Sequence, residues 1–377
     1  MHDRTVRART AAGTVEGFTR DGVHRWRSIP YARPPVGDLR LRAPQPAASW
    51  SGVRHCHGFA NCAPQERRYT LLGLSGLGGR YQPMSEDCLT LNVVAPEDGA
   101  EGPRPVMVFI HGGGYFLGSS ATPLYDGAAL VRRGCVYVSV NYRLGALGCV
   151  DFSSLSTPDI TIDSNLYLRD LVLALQWVRD NIAAFGGNPE RVTLFGESAG
   201  AGIVTTLLAS PAAEGLFAGA IAQSSPATSV YDRDRAHRVT QAFLDKLGIA
   251  PSESQRLVDM PMAAILSASQ QVFDEVPARN PGTLAFVPIV DGDLLGDYPV
   301  KLAQEGRTHP VPLIIGTNKH EAALFRLMRS PLMPITPSAI SSMFNQIAAE
   351  QPDLQLPTEE VIGSAYSRLR RKARSLR

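Results

Sequence analysis

The sequence has almost no excess of one charge: 37 Lys and Arg stand against 35 Asp and Glu, a net +2. A polyanionic partner or an electrostatic hold on a membrane surface is therefore not expected, and nucleic acid is a poor reading. No apolar run approaches the roughly 18 residues that a membrane-spanning helix needs. Five cysteines (Cys56, Cys62, Cys88, Cys135 and Cys149), with no CxxC pair, are too few for a disulfide scaffold and suggest no metal ligation. The opening MHDRTVRART lacks the apolar core of a secretory signal, so a cytoplasmic location is expected. Internal repeats and low-complexity tracts are missing too. What remains, 44% apolar and 19% charged residues, describes a globular chain. Its length suits one large α/β domain spanning 1–377.

Near the amino end, Thr14 to Thr19 and Val23 to Ile29 flank Asp21-Gly22, the signature of a hairpin with a primed turn. Pro30 to Pro46, rich in Pro and Arg, is expected to be extended and irregular. The glycine-rich Leu71 to Arg80 reads as a surface loop. Short apolar runs then appear at Pro105 to Ile110, Cys135 to Asn141, Val192 to Phe195, Gly219 to Gln223 and Val311 to Gly316. Such runs suit strands buried on both faces of a mostly parallel sheet. Between them Leu168, Leu171, Val172, Leu175, Val178 and Ile182 recur at helical spacing before Gly186-Gly187. A second helix is expected over Ala199 to Ala209. Strands alternating with helices imply an open α/β sheet covered on both faces. Residues 227–285 break the rhythm with helical stretches, one running from His237 to Leu247 and closed by Gly248. They read as an insertion forming a lid or pocket wall. The basic stretch Ser364 to Arg377 is expected to be a solvated helix.

Two segments carry chemistry. Gly196-Glu197-Ser198-Ala199-Gly200 fits G-x-S-x-G, directly after an expected strand and before an expected helix. A strand-to-helix turn that tight needs small residues around the serine, and it leaves the hydroxyl exposed above the free N–H groups of the helix start. Upstream, His111-Gly112-Gly113-Gly114-Tyr115 also follows a strand. Acyl transfer needs N–H donors aimed at the developing oxyanion, and glycines let a backbone approach the carbonyl without a Cβ in the way. The donors expected here are the N–H groups of Gly113, Gly114 and Ala199. A phosphate-binding reading of the glycine run is the weaker one because no Lys-Ser/Thr follows. His111 is expected to be structural.

With these segments in view, the chain resembles the type-B carboxylesterases, α/β-hydrolases that include bacterial para-nitrobenzyl esterases and the cholinesterases. The resemblance rests on Ile29 to Gly37 (IPYARPPVG), Glu86 to Asn92 (EDCLTLN), Met107 to Tyr115 and Val138 to Gly148 (VSVNYRLGALG). It continues through Trp177 to Gly187, Thr193 to Gly202, Phe217 to Ser224, Pro288 to Asp293 and Pro312 to Phe325. It implies an α/β-hydrolase fold, no cofactor and no metal. It implies a neutral carboxylic ester as substrate and Ser198 as the acyl-enzyme nucleophile.

The same resemblance implies that Glu321, in Gly316-Thr317-Asn318-Lys319-His320-Glu321, orients the catalytic histidine. The family usually has Asp-Glu-Gly where this chain has His320-Glu321-Ala322. Glu197 matches an acidic residue that borders the pocket in relatives, or it is a carboxylate packed under the elbow. Cys62 and Cys88 match a small disulfide loop of secreted members; two thiols are the alternative. Cholinesterases carry a choline-binding Trp where this chain has Gly78, so a quaternary-ammonium ester is not expected.

A triad also needs a base, and in this fold the order is Ser, acid, His. Family members place the histidine around a hundred residues beyond the acid. No histidine follows His320 here, and Ala365 to Arg377 departs from the family's course. The expectation is a chain that stops before the last strand and histidine loop, with a separately encoded carboxyl-terminal fragment as a partner to consider. His24, His55 and His57 fall in a region expected to be irregular. His309 is expected at the end of the sheet opposite the elbow. The rival readings are a catalytically inactive cholinesterase-like binding protein and a non-functional fragment of a split esterase gene.

Overall fold

The computed structural model describes residues 4–66, 76–77, 80–97, 102–321, 323–327, 332, 336–350, 352 and 355–375. The chain divides into two compact units, Met1–Asp274 with Leu284–Glu321, and Glu275–Thr283 with Ala322–Arg377. The first holds one ten-stranded sheet.

Its strands are β1 (Arg4–Arg9), β2 (Thr14–Arg20), β3 (Val23–Pro30) and β4 (Val53–His55). A separate two-stranded ribbon pairs β5 (Gly76–Leu77) with β6 (Arg80–Tyr81). The sheet continues with β7 (Thr90–Pro96), β8 (Arg104–Ile110), β9 (Val136–Val140), β10 (Gly187–Glu197), β11 (Gly219–Gln223) and β12 (Leu313–Gly316). The spatial order is β1-β2-β3-β7-β9-β8-β10-β11-β12, with β4 added beside β2. From β9 to β12 every pair is parallel, whereas β1, β2, β3 and β7 pair antiparallel. The hairpin expected at Asp21-Gly22 forms, with both residues at positive φ (54° and 73°), as a primed turn requires.

The helices of this unit are α1 (Ala128–Val131), α2 (Gly145–Cys149), α3 (Leu166–Asn181), α4 (Ala199–Leu207), α5 (Arg233–Leu247) and α6 (Arg256–Asp259). They are followed by α7 (Met262–Arg279), which runs into the second unit, and α8 (Pro299–Gln304). Eleven of the sixteen residues of α3 and all nine of α4 are buried, so these helices are core and not surface cover. After α3 a short 3-10 turn ends at Gly186 in the left-handed region (φ 80°), and β10 starts at the next residue. The insertion contains α5, α6 and α7. Asp232 caps α5 by accepting from the N–H of Arg235, and Gly248 closes it at φ 65°.

Two buried guanidinium groups tie this architecture together. Arg143 donates through Nε and Nη2 to Asp170 at 2.9 and 2.6 Å, with both side chains almost wholly buried. Arg40 forks onto Glu86 (2.7 and 2.5 Å) and also donates to the carbonyls of Leu257, Val258 and Met260. It thereby joins the Pro-rich segment, which is irregular as expected apart from one short turn at Gly37–Leu39, to the base of the insertion.

The second unit carries α9 (Ala323–Leu327), α10 (Pro337–Glu350) and α11 (Glu359–Ser375). Thr336 and Thr358 cap the last two through their hydroxyls. The expected carboxyl-terminal helix exists but starts earlier, at Glu359.

Two expectations need correction. The run ending at Gly316 is not buried on both faces: β12 is an exposed strand, with Ile314 67% and Ile315 56% accessible. Apolar composition marks a strand but does not reveal its place in the order, and β12 pairs, among the described residues, only with β11. His55 is not in irregular backbone but in β4, whereas His24 lies in β3, the hairpin strand expected over Val23 to Ile29. Most of the expected Leu71 to Arg80 loop, Gly78 included, lies outside the described residues.

Candidate active site

Parallel strands deliver their carboxyl ends to one edge of a sheet, where open α/β folds place their ligands. Here the ends of β8, β10, β11 and β12 lead respectively into His111, Ser198, Ser224 and the loop bearing Glu321.

Ser198 is the N-cap of α4 at φ 57° and ψ −123°, a backbone region that costs a non-glycine residue about 1–3 kcal/mol. Its own N–H donates to the carbonyl of Gln223 and its carbonyl accepts from the N–H of Gly202, each at 2.9 Å. Neighbouring backbone enforces the small residues around it. A Cβ on Gly196 would stand 2.5 Å from the carbonyl carbon of Gly200, and one on Gly200 would stand 2.2 Å from the oxygen of Ile110. The elbow is therefore wedged against the end of β8.

The glycine loop runs alongside. A Cβ on Gly112 would lie 3.2 Å from the Ser198 Cβ and 2.6 Å from the Glu197 carbonyl oxygen. Gly113 and Gly114 sit at φ 118° and 64°, and Gly113 has the Leu117 carbonyl so close that no side chain fits. Among the described residues, the N–H groups of Gly113, Gly114 and Ala199 meet no backbone or side-chain acceptor. His111 anchors the loop from behind. Its Nδ1 donates to the Gly112 carbonyl at 2.8 Å, and its ring stacks on Tyr142 at 4.5 Å. Tyr142 in turn donates to the His111 carbonyl at 2.7 Å. Burial lowers the His111 pKa to about 4, so the imidazole is neutral and structural, as expected.

Glu321 accepts from the N–H of Asn318 at 3.2 Å and from the Ser224 hydroxyl. Asn318 Nδ2 also donates to Ser224 Oγ at 3.4 Å. The Ser224 bond, followed by those from Asn318, holds the Glu321 carboxyl below its ordinary value. Glu197 moves the other way although it keeps contact with solvent: lost hydration raises it first and the charge of Glu321 second. Ser224, at φ 55° with its N–H bonded to the Gly316 carbonyl at 2.8 Å, was not foreseen as part of this cluster. Its sequence signals are its place directly after the apolar run of β11 and at the end of the family-matching segment Phe217 to Ser224.

The insertion reaches the same edge. Phe273 of α7 comes within 3.8 Å of a Cβ on Gly114 and stacks on Phe116 at 4.4 Å, with Phe286 behind. The histidines are engaged elsewhere or remote. His309 donates from Nε2 to the Ser210 carbonyl at 2.7 Å, beyond the far end of α4, as expected. His24 pairs with Thr19, and His55 with Glu16. His237 is exposed on α5, and His320 adjoins Glu321 in the exposed loop after β12. Cys62 and Cys88 are both buried and form no disulfide; burial pushes the Cys88 thiol up. Among the described residues no group of metal-ligating side chains lies at this edge; the single such cluster lies where β4 joins β2.

The carboxylesterase family model matches residues 2–369. The para-nitrobenzyl esterase of Bacillus subtilis (strain 168) is 40% identical over 317 residues, covering 84% of this chain and 63% of that protein. The phenmedipham hydrolase of Pseudarthrobacter oxydans is 38% identical over 83% of this chain and 61% of its own length. A thermophilic para-nitrobenzyl esterase structure superposes with a TM-score of 0.82 at 36% identity, covering 94% of this chain and 72% of that one. The chain thus spans about three-fifths of the length of these curated relatives. No helix among the described residues is long and apolar enough to cross a membrane. The elbow, the glycine loop and the sheet that carries them are those of an α/β-hydrolase, and the chain belongs to the carboxylesterase family, in its type-B group.

Proposed function

We propose that this protein takes part in hydrolysing neutral carboxylic esters through an acyl-enzyme formed on Ser198. The observation that carries the reading is the strained Ser198 at the head of α4, flanked by the loop whose Gly113 and Gly114 N–H groups, with that of Ala199, meet no acceptor among the described residues. In this reading Ser198 Oγ attacks the ester carbonyl, and the three N–H groups hold the resulting oxyanion. Loss of the alcohol leaves an acyl ester on Ser198, which water then hydrolyses. Residues 227–285, through Phe273, form the wall that faces the acyl group.

The proton of Ser198 requires a base. Glu321, ionised and braced by Ser224 and Asn318, is proposed to orient a histidine that comes from outside these 377 residues, on a further carboxyl-terminal polypeptide. Glu197 borders the same pocket. That relatives carry the names para-nitrobenzyl esterase and phenmedipham hydrolase supports an ester or carbamate carbonyl as the reacting group. The gap where cholinesterases have an aromatic, at Gly78, favours an uncharged alcohol.

The test is labelling by a fluorophosphonate. The 377-residue chain should react slowly. Adding a polypeptide with the family's carboxyl-terminal strand, histidine loop and helix should raise labelling of Ser198 about a hundredfold, since a triad member is worth several orders of magnitude. Ser198→Ala should abolish labelling, and His→Ala in the added piece should cancel the rise. Rapid stoichiometric labelling of the chain alone would place the base among its own histidines instead. Unchanged labelling of Ser198→Ala would remove the nucleophile assignment.

A further inference from the structure

On the amino-terminal side of the sheet, far along the strand order from the elbow, three chemically capable side chains converge. Arg7 of β1, Glu16 of β2 and His55 of β4 stand in one row across three paired strands, at registers Arg7↔Glu16 and Glu16↔His55. Side chains alternate along extended backbone, so His57 returns to the face of His55 while Cys56 between them turns inward and is buried. His55 Nδ1 lies 2.9 Å and His57 Nε2 3.6 Å from the same oxygen, Glu16 Oε1. All three ligand atoms fall within 4.8 Å of one another.

We propose that Glu16, His55 and His57 bind one divalent transition metal ion of the zinc type. Metal–ligand bonds of about 2.0–2.1 Å in a tetrahedron separate neighbouring ligand atoms by about 3.3 Å, so the two distances to Glu16 Oε1 each need a shift of only a few tenths of an ångström. Two imidazoles and one carboxylate are a donor set that zinc accepts, with water in the fourth position. The histidines are accessible, 70% and 44% at the side chain, while Glu16 is only 7% accessible. The anchor is therefore fixed and the two rings are free to adjust. Arg7 bonds the other carboxylate oxygen, Oε2, at 2.8 Å, which orients Oε1 toward the histidines in the way outer partners orient ligating carboxylates.

Coordination through Nδ1 uses the tautomer of His55 that carries its ring proton on Nε2. Arg7, together with Arg27, whose guanidinium lies over the Phe18 ring that His57 abuts edge-on, adds positive charge nearby and sets the affinity well below that of a buried structural zinc. The ion would clip β4, which has only β2 as a partner among the described residues, onto the hairpin. The cysteine pattern could not reveal this site, because its ligands are a distant glutamate and an H-x-H pair.

The test uses the 377-residue chain stripped with a chelator and titrated with Zn²⁺ against a chromophoric competitor, with Co²⁺ absorption as a second readout. The expected result is one saturable site and a rise in Tm with added Zn²⁺. His55→Ala and His57→Gln should each weaken it at least about tenfold, Glu16→Gln likewise, and His24→Ala should leave it unchanged. His57 lies outside β4, so His57→Gln keeps the strand pairing, and circular dichroism verifies the fold. Absence of saturation up to about millimolar Zn²⁺, or saturation unaltered in the doubly substituted His55→Ala/His57→Gln chain, overturns the proposal.

Discussion

The carbonyl oxygen of Ile110 occupies the space that a side chain on Gly200 would need, 2.2 Å from its Cβ position. The last residue of β8 and the second residue of α4 are thus in backbone contact, and this contact sets the spacing between the glycine loop and Ser198. Gly200→Ala should force the two apart. Overpacking against backbone costs about 1–3 kcal/mol or more, and here neither side has a rotamer to yield. Urea denaturation should show a loss in that range, together with slower labelling of Ser198. A change below about 0.5 kcal/mol would mean that the elbow has room to yield at this contact.

Strain at Ser198 makes a second, opposite prediction. Its φ of 57° is a conformation that glycine adopts freely. Ser198→Gly should therefore stabilise the chain by about 1 kcal/mol while removing the hydroxyl proposed to react. Ser198→Ala keeps the strain and should not stabilise to the same degree. Thermal unfolding of the two variants side by side decides the matter; equal Tm values would count against a stored backbone cost.

A pH dependence follows from His111. Its pKa is depressed to about 4 by burial, against about 6.5 in an unfolded chain. Above pH 6.5 the ring is neutral in both states and the native contacts are intact. As pH falls from 6.5 toward 4 the unfolded chain takes up a proton that the folded chain refuses, so stability drops, by roughly 3 kcal/mol over the window. A His111→Gln variant, less stable at pH 7, should lose less on acidification than the parent does. Parallel stability curves for the two between pH 7 and 4.5 would contradict the assignment.

Much of this was readable beforehand for a definable reason. β8, β9, β10 and β11 are apolar runs bounded by turn residues, and α3 keeps its apolar spacing until Gly186, so pattern and structure coincide. The elbow and the glycine loop were readable because a tight backbone approach admits only certain residues in a fixed order. Position across the sheet was not readable: nothing in Leu313 to Gly316 distinguishes an exposed strand from a central one. The role of Ser224 was equally hidden, since its bond to Glu321 depends on β11 and β12 lying side by side. The row Arg7, Glu16, His55 belongs to the same class, being a product of register.

The pair Arg143 and Asp170 supplies a fourth prediction. Asp170 is fully buried and receives the Arg143 backbone N–H as well as two guanidinium bonds. Asp170→Asn leaves a buried cation without its counter-charge, a loss of about 3–5 kcal/mol when one partner of such a pair is removed. Replacing both by apolar residues of similar volume should cost less than the single change. Chemical denaturation of the single and double variants checks the order.

Arg40 gives the insertion a character of its own. Three carbonyls at the end of α6 and both oxygens of Glu86 depend on one guanidinium, so swinging that base outward would strand all five acceptors at once. The wall beside Gly114 is accordingly anchored at its base, and in the proposed ester site the ring of Phe273 would set the room for an acyl group in advance. Under that proposal, exchanging Phe273 for a smaller or larger side chain would change the accepted acyl group without altering a moving part.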